Sequence, residues 1–303
     1  MHSDRPTRSS ARVATPVVLA IVPAIVPAIV CAAAAGAAHA RPGDGKPPRE
    51  RVTCCHPGEH GTLEGGALLL PAPEPAPVGF GGFPSTTIES NGDPANRVDI
   101  VFVGDGYQAS QLGAYETLVA QRWATIRTRE PYASYLPYFN AHRVDVTSVD
   151  AGVDNDPTQG ISRNTALDMA FWCAGIERLL CVNTSKAIAA AASAPDWDQV
   201  LAVANATKYG GAGYPTVDVC TFAGSNGSSL EVALHELGHA LGDLADEYDY
   251  GGAQTYSGPE PGEVNLSIQT AAQMAASQTK WASWLGVTLP GVGAHGTYEG
   301  GGY

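Results

Sequence analysis

The chain is poor in basic residues and in charge of either sign. Lysine and arginine together number 17 in 303 residues, charged residues make up 16% of the chain, and the formal net charge is -13. Proteins that bind nucleic acid need clustered Lys and Arg to neutralise phosphates, and no basic stripe is visible here. We therefore expect no nucleic-acid partner.

Nucleotide-binding motifs and internal repeats are also missing. The glycine-rich stretch 209–214 has neither the G-x-G-x-x-G spacing of a dinucleotide site nor the lysine of a phosphate-binding loop. We interpret it as a loop between two strands. Hydrophobic residues make up 44% of the chain, which is enough for a sizeable core. One α/β domain with alternating strands and helices is the expected fold.

The first forty residues have the pattern of an export signal. Arg5, Arg8 and Arg12 precede an apolar run over residues 13–38. The run is followed by a cleavage site of the small-residue type that ends at Ala40. We expect cleavage after Ala40 and a secreted protein, periplasmic or extracellular, without stable membrane association. The alternative is an uncleaved anchor, because the apolar run is long enough to span a bilayer.

Composition divides the remaining chain in two. Residues 41–85 are rich in proline and glycine and predict an extended linker. The folded domain is expected to span residues 86–303. Its predicted strands cover residues 98–103, 141–149, 200–204 and 217–222, and its predicted helices cover residues 110–129, 165–173 and 185–194.

Of the six cysteines, one lies within the export signal and five remain after cleavage. In an exported chain, cysteines are more often oxidised than redox-catalytic. Cys173 and Cys181 are the predicted pair, since they would close a short loop between two helical stretches. Cys54, Cys55 and Cys220 have no assignable partners from sequence alone.

An acidic stretch at residues 150–157 is a candidate calcium site. Asp150, Asp154 and Asp156 carry carboxylates of the kind that calcium prefers. The same residues are also typical of tight turns. Turn chemistry explains them as well as calcium does.

A helix is predicted through the segment that carries the strongest chemical signal. Ser228 and Glu231 have the spacing of a capping box at its start. An apolar stripe at helical spacing then follows, formed by Leu230, Leu234, Leu237 and Leu241. The pattern indicates an amphipathic helix packed on the core.

This helix contains the sequence His235-Glu236-Leu237-Gly238-His239. His235 and His239 lie one turn apart on the same face, so both imidazoles can reach one zinc ion at roughly 2.0–2.1 Å. Glu236 is the predicted general base that accepts a proton from the activated water. The alternative is a pair of structurally bonded histidines, because HExxH also occurs in inactive proteins.

A third protein ligand is needed, and Asp246 is the favoured candidate with Glu247 as the alternative. In an unbroken helix Asp246 would lie about 16 Å along the axis from His235, so a break is required, and Gly242 can provide it. In the metzincin pattern H-E-x-x-H-x-x-G-x-x-H the third ligand falls at Ala245, which cannot bind metal. The spacing here is one residue longer.

A thermolysin-like arrangement would take a later glutamate instead, such as Glu260 or Glu263. That alternative is weaker, because residues 258–262 do not have the pattern of the second helix that such a ligand needs.

The sequence resembles the bacterial IgA-peptidase family of zinc metallopeptidases (family M sixty-four). The most specific part is His-Glu-Leu-Gly-His at 235–239 followed by Leu-Ala-Asp-Glu-Tyr at 244–248. The other matching segments are residues 97–107, 138–140, 144–146, 150–157 and 209–213.

The resemblance implies a metzincin-like α/β fold with a mixed sheet and a single Zn²⁺. It implies His235, His239 and an acidic residue of the pair Asp246 and Glu247 as ligands, with Glu236 as general base. It also implies a C-terminal continuation past residues 299–303 that carries a methionine turn. Because the sequence stops at residue 303, we expect the catalytic domain to be truncated or the floor of the site to be built differently.

We therefore predict a secreted zinc endopeptidase that hydrolyses peptide bonds of extracellular proteins. The resemblance does not transfer a substrate, so cleavage of IgA is not predicted. Two alternatives stay open: a non-catalytic secreted or surface module that retains zinc for stability, and a zinc hydrolase acting on non-peptide amides.

Overall fold

A computed structural model of the protein describes residues 48–57, 63–246, 258–289 and 293–298, with the backbone alone for residues 54–57 and 63–67. The predicted export signal therefore lies outside the described residues. No helix within the described ranges is long and apolar enough to cross a lipid bilayer.

The elements alternate between strands and helices along much of the chain. The strands are β1 (Arg49–Pro57), β2 (Leu63–Pro71), β3 (Ser85–Glu89), β4 (Val98–Asp105), β5 (Phe139–Val144), β6 (Gln199–Ala204), β7 (Gly211–Tyr214), β8 (Val219–Ala223), β9 (Thr288–Leu289) and β10 (Gly293–Ala294). The helices are α1 (Leu112–Ile126), α2 (Tyr132–Tyr135), α3 (Thr184–Ala191), α4 (Ser229–Gly242) and α5 (Ala271–Ser277).

Eight strands form one mixed sheet in the order β2-β1-β7-β8-β6-β4-β5-β3. The four strands β8, β6, β4 and β5 run parallel. Antiparallel partners extend this parallel centre on both sides, with β3 beside β5 and β7 beside β8. The two short strands β9 and β10 pair only with each other.

Side chains of the central strands alternate between two cores. On β4, Ile100 and Phe102 pack with helices α1 and α4, whereas Val101 and Val103 pack with α3 on the opposite face. A strand that is covered on both faces must be apolar at almost every position, which explains the near-continuous apolar run of β4. The predicted α/β class is confirmed as a mixed sheet covered by helices on both faces.

The stretch predicted to be a linker contributes two strands to this sheet. β1 and β2 pair antiparallel with each other, and β1 joins the sheet where Thr53 pairs with Gly213. Val52 is fully buried in the core. The proline and glycine content of residues 41–85 concealed this short pairing segment in the sequence. Regular secondary structure therefore begins before Thr86. The start of the catalytic domain at residue 86 stays a prediction.

Three predicted elements have different structures. The stretch 165–173 was predicted as a helix, but it forms irregular turns with isolated bridges. The predicted strand 141–149 ends at Val144, and part of the glycine-rich stretch 209–214 forms strand β7 rather than a loop. In the first case a tertiary contact overrides the local pattern, since a buried carboxylate binds the backbone of this stretch.

That carboxylate is Asp105, at the C-terminal end of β4. Its Oδ1 accepts a hydrogen bond from Leu167 N at 2.9 Å and one from Ser148 Oγ at 3.1 Å. Its Oδ2 accepts from Met169 N at 2.9 Å. Asp105 is fully buried, so it satisfies backbone donors that have no access to water. It thereby attaches the loop over one core to the centre of the sheet.

The acidic stretch 150–157 builds turns. Asp150 Oδ2 accepts a hydrogen bond from Asn164 N at 2.7 Å, and Asp154 Oδ1 accepts one from Arg163 N. Both carboxylates thus bind backbone donors of the same loop. The described residues do not group Asp150, Asp154 and Asp156 as a metal cluster, which favours the turn explanation over calcium.

We expect the variant Asp105→Asn to lower the free energy of unfolding by about 2–4 kcal/mol, because its amide nitrogen would face a buried N–H donor instead of accepting from it. Chemical denaturation monitored by circular dichroism measures this change. Asp93→Asn is the matched control, because Asp93 is an exposed helix cap and asparagine caps equally well. Equal stability of both variants would contradict the anchoring role of Asp105.

Candidate metal centre

Helix α4 carries the candidate site and packs across strands β7 and β8. The helix begins at Ser229, but the predicted capping box is wrong, since the Ser228 side chain makes no capping hydrogen bond. The side chain of Asn226 accepts from Ser228 N at 2.8 Å instead. Glu231 forms an exposed ion pair with Arg129 at 3.2 Å.

Two glycines of β7 allow this helix to approach the sheet closely. A Cβ atom added at Gly211 would lie 2.9 Å from Glu236 Cγ, and one added at Gly213 would lie 2.7 Å from His239 Cβ. Any side chain at either position would therefore push the helix away. The glycine-rich stretch, which has no phosphate-binding pattern, has a packing role beside the candidate catalytic residues.

Three potential ligand atoms meet above the helix. The Nε2 atoms of His235 and His239 are 3.0 Å apart, and Asp246 Oδ1 lies 3.2 Å from the first and 3.4 Å from the second. Tetrahedral zinc with ligands at about 2.0–2.1 Å requires ligand atoms separated by about 3.3–3.4 Å. The donor set and its spacing therefore fit a zinc ion. Among the described residues, these three side chains form a group that could hold a metal ion.

The chain reverses directly after α4 and so brings Asp246 back to the histidines. Helix α4 ends at Gly242, and Asp243 adopts a left-handed conformation with φ 47°. Leu244 N then donates to Gly238 O at 3.2 Å. The predicted break at Gly242 is thus confirmed, and it removes the axial separation that an unbroken helix would impose.

An asparagine that sequence reasoning missed holds the returning segment. Asn265 Oδ1 accepts from Ala245 N, and Asn265 Nδ2 donates to Ala245 O, each at 2.9 Å. These two bonds fix the backbone of the residue before Asp246. No local sequence pattern marks Asn265, because its partner Ala245 lies 20 residues earlier in the chain.

A backbone carbonyl sets the tautomer of one histidine. His239 Nδ1 lies 2.6 Å from Leu244 O, and a carbonyl oxygen can only accept a hydrogen bond. The proton of a neutral His239 is therefore on Nδ1, and its Nε2 carries the lone pair that binds a metal. In metal sites, a ligating histidine generally donates its other ring N–H to a carbonyl, a carboxylate or water, and this bond orients the ring.

Glu236 is buried beside the ligands, at 4% exposure. Burial raises the pKa of this carboxyl, and the charges of His235 and His239 partly offset the shift. Arg178 lowers the pKa of Glu236 further. Glu236 Oε2 has no hydrogen-bond partner. A desolvated carboxylate oxygen beside the ligands is available to accept a proton.

The carboxyl of Asp246 remains ionised far into acid. Burial opposes its ionisation, but hydrogen bonds and charge from His235 and His239 outweigh burial and hold the pKa of Asp246 well below its usual value. An anionic oxygen is therefore present among the ligands at neutral pH.

The alternative third ligands have other positions. Glu247 lies outside the described residues. Glu263 forms an ion pair with Arg51, and Glu260 accepts hydrogen bonds from Ser267 Oγ and Ile268 N. Both glutamates are engaged away from the three converging atoms.

Other predicted features near the site have mixed outcomes. The disulfide between Cys173 and Cys181 is confirmed. Cys220 is buried and has a free thiol, whereas the side chains of Cys54 and Cys55 lie outside the described residues. The C-terminal continuation implied by the family stays a prediction.

A mixed α/β fold with an HExxH helix and a convergent His/His/Asp group defines a candidate metal-dependent hydrolase. The family model described as IgA Peptidase M64 matches residues 86–294, and the chain belongs to this family. It is therefore a peptidase, with protein or peptide substrates, of a metallopeptidase-like family. The comparison with curated proteins gives no match.

We expect Asp246→Asn to reduce zinc affinity by at least about 100-fold, which exceeds the 10–100-fold typical of changes to residues outside the ligand set. Competition with a zinc-binding dye measures this affinity. Glu260→Gln should leave it unchanged, and Glu247→Gln tests the alternative ligand. Loss of zinc in either of these variants, with Asp246→Asn unaffected, would exclude Asp246 as the third ligand.

Proposed function

We propose that the protein is a zinc-dependent endopeptidase in which His235, His239 and Asp246 hold the metal and Glu236 is the general base. The observation that carries this proposal is the convergence of two imidazole nitrogens and one carboxylate oxygen beside a buried glutamate. Structural zinc sites are closed by four protein ligands, whereas catalytic sites use three and keep one position open. Three potential ligands converge among the described residues, and this number favours catalysis.

Glu236 supplies proton transfer at this site. A zinc ion held by the three residues would supply Lewis acidity to the substrate carbonyl and to water. Glu236 Oε2 accepts a proton from the attacking water and then delivers it to the departing amine. Burial strengthens Glu236 as a base, because the desolvated carboxylate binds a proton more readily.

We propose a metzincin-like arrangement for the catalytic domain, spanning residues 86–303. Its support is the helix that carries both histidines and the chain reversal that supplies the third ligand from just downstream. Compared with the metzincin pattern, the third ligand is displaced by one residue, from Ala245 to Asp246. The turn at Asp243 accommodates this longer spacing.

Export is part of the proposal, with extracellular proteins as substrates. The Cys173–Cys181 disulfide supports an oxidising compartment, because disulfides persist outside the reducing cytosol. The predicted export signal at residues 1–40 is the corresponding sequence feature.

We expect Glu236→Gln to lower kcat for peptide cleavage by roughly 100- to 10,000-fold while zinc binding is kept, because the amide cannot accept the proton from water. The measurement is cleavage of a diverse peptide mixture followed by mass spectrometry, with zinc content determined on the same samples. A zinc chelator should abolish the same cuts in the wild-type protein.

Glu231→Gln is the control for this variant, because Glu231 lies on the same helix and its side chain is 67% exposed. It should keep full activity. If Glu236→Gln cleaves as fast as Glu231→Gln, the proposed general base is wrong. If the wild-type protein binds zinc and cuts nothing, the zinc-stabilised binding module replaces the endopeptidase.

Acid should release zinc by protonating His235 and His239, since only neutral imidazoles bind the metal. Asp246 does not limit this process, because its lowered pKa keeps it ionised. Once both histidines compete with protons, each further unit of acidity should lower zinc affinity by up to about 100-fold. Zinc titrations across pH measure this slope, and a pH-independent affinity would contradict the ligand assignment.

A further inference from the structure

The outward edge of β7, beside the candidate metal centre, is already paired. Gly211 N donates to Arg178 O at 3.3 Å, and Leu180 N donates to Gly211 O at 3.4 Å. Farther along the strand, Gly213 pairs with Thr53 of β1, whose Oγ1 also donates to Gly213 O at 3.0 Å. The main-chain groups that would receive an extended peptide on this edge therefore have partners within the chain.

This pairing changes how a peptide can be recognised. Peptides that add a strand to a sheet obtain affinity from free main-chain groups at the edge. Because Gly211 and Gly213 are engaged, a substrate beside α4 must be held there by side-chain groups.

Arg178, which lies in the segment that pairs with β7, is a charged side chain with two unused hydrogen-bond donors. Its Nε and Nη2 are buried and have no hydrogen-bond partner. Arg178 as a whole is partly exposed, but buried donor atoms are normally paired, because a buried N–H group without a partner costs free energy. Arg143 illustrates the usual case, since it forms ion pairs with both Glu116 and Asp145.

The two unused atoms specify the chemistry of a ligand. The N–H groups of Nε and Nη2 point in parallel from one edge of the planar guanidinium group. This fork matches the two oxygens of a carboxylate. The acidic residue next to Arg178 in sequence does not fill it, because Glu177 pairs with Lys208 at 2.8 Å. Arg178 forms no ion pair with any carboxylate of the described residues.

The position of Arg178 is fixed relative to the candidate catalytic residue. Its carbonyl binds Gly211, the residue whose missing Cβ leaves space for Glu236. The disulfide between Cys173 and Cys181 closes the loop around it. Its positive charge acts on the Glu236 carboxylate. Arg178 is thus held beside the centre where the peptide would be cut.

We propose that Arg178 is a specificity-determining residue, whose Nε and Nη2 bind a carboxylate of the peptide substrate next to the metal centre. The carboxylate is either an Asp or Glu side chain near the cut or the C-terminal carboxylate of the peptide. This inference rests on the proposed peptidase function. It adds a charge preference that the HExxH segment does not imply.

The test measures peptide capture separately from cleavage. Zinc-loaded Glu236→Gln protein is immobilised and exposed to three synthetic peptide libraries, and the captured peptides are sequenced by mass spectrometry. One library has Asp and Glu with amidated C-termini. The second has Asn and Gln in their place with free C-termini. The third has neither carboxylate.

We expect one carboxylate-containing library to be enriched roughly 10- to 100-fold over the neutral one, the range of a charge-assisted bidentate bond. The enriched library identifies the source of the carboxylate. Adding Arg178→Gln should remove the enrichment, and adding Arg178→Lys should keep only part, since lysine retains charge without the fork. Arg129→Gln is the control, because Arg129 is an arginine whose ion pair with Glu231 is exposed to solvent.

Three outcomes would overturn the proposal: enrichment that survives Arg178→Gln, capture without a preference for carboxylates, and no capture of any library. Zinc content and thermal unfolding of each variant identify loss of folding. Arg178→Lys provides a second variant that keeps the positive charge at this position. Cleavage by the wild-type protein is assayed in parallel. Arg178-dependent capture without cleavage would overturn the peptidase function alone, and cleavage without carboxylate preference would overturn the role of Arg178 alone.

Discussion

The candidate site depends on one reversal of the chain. Helix α4 presents two histidines on one face, but two imidazoles do not complete a metal site. The left-handed residue Asp243 turns the chain back, and the bond between His239 Nδ1 and Leu244 O holds the returning segment against the helix. The same contact orients the imidazole and delivers Asp246. One local geometry thus positions two of the three ligands.

Much of the site could be predicted because it is local in sequence. The spacing of His235 and His239 needs only a helix, and the helix pattern through the leucine stripe is strong. The break at Gly242 followed from the distance that Asp246 would otherwise have. Asn265 and Arg178 could not be found in this way. Their roles come from contacts between segments that are far apart in the sequence, and no spacing rule encodes such contacts.

The fold shows the same division. The apolar run of β4 predicts a strand covered on both faces, and the structure confirms it. The stretch 165–173 has apolar residues at helical spacing, but Asp105 binds its backbone N–H groups and excludes a helix. The antiparallel pair of β1 and β2 was not predicted, because prolines and glycines flank its strands. In both cases a tertiary partner decides a conformation that local propensity leaves open.

The glycines of β7 make the three ligands unequal in rigidity. Gly211 and Gly213 let α4 sit directly on the sheet, so the helix that carries His235 and His239 is held by packing against β7. Asp246 follows the helix in a loop whose preceding residue is held by the side chain of Asn265. Segments with fewer packed contacts open at lower free energy than the core. Packing therefore holds the two histidines, whereas hydrogen bonds within a loop hold the carboxylate.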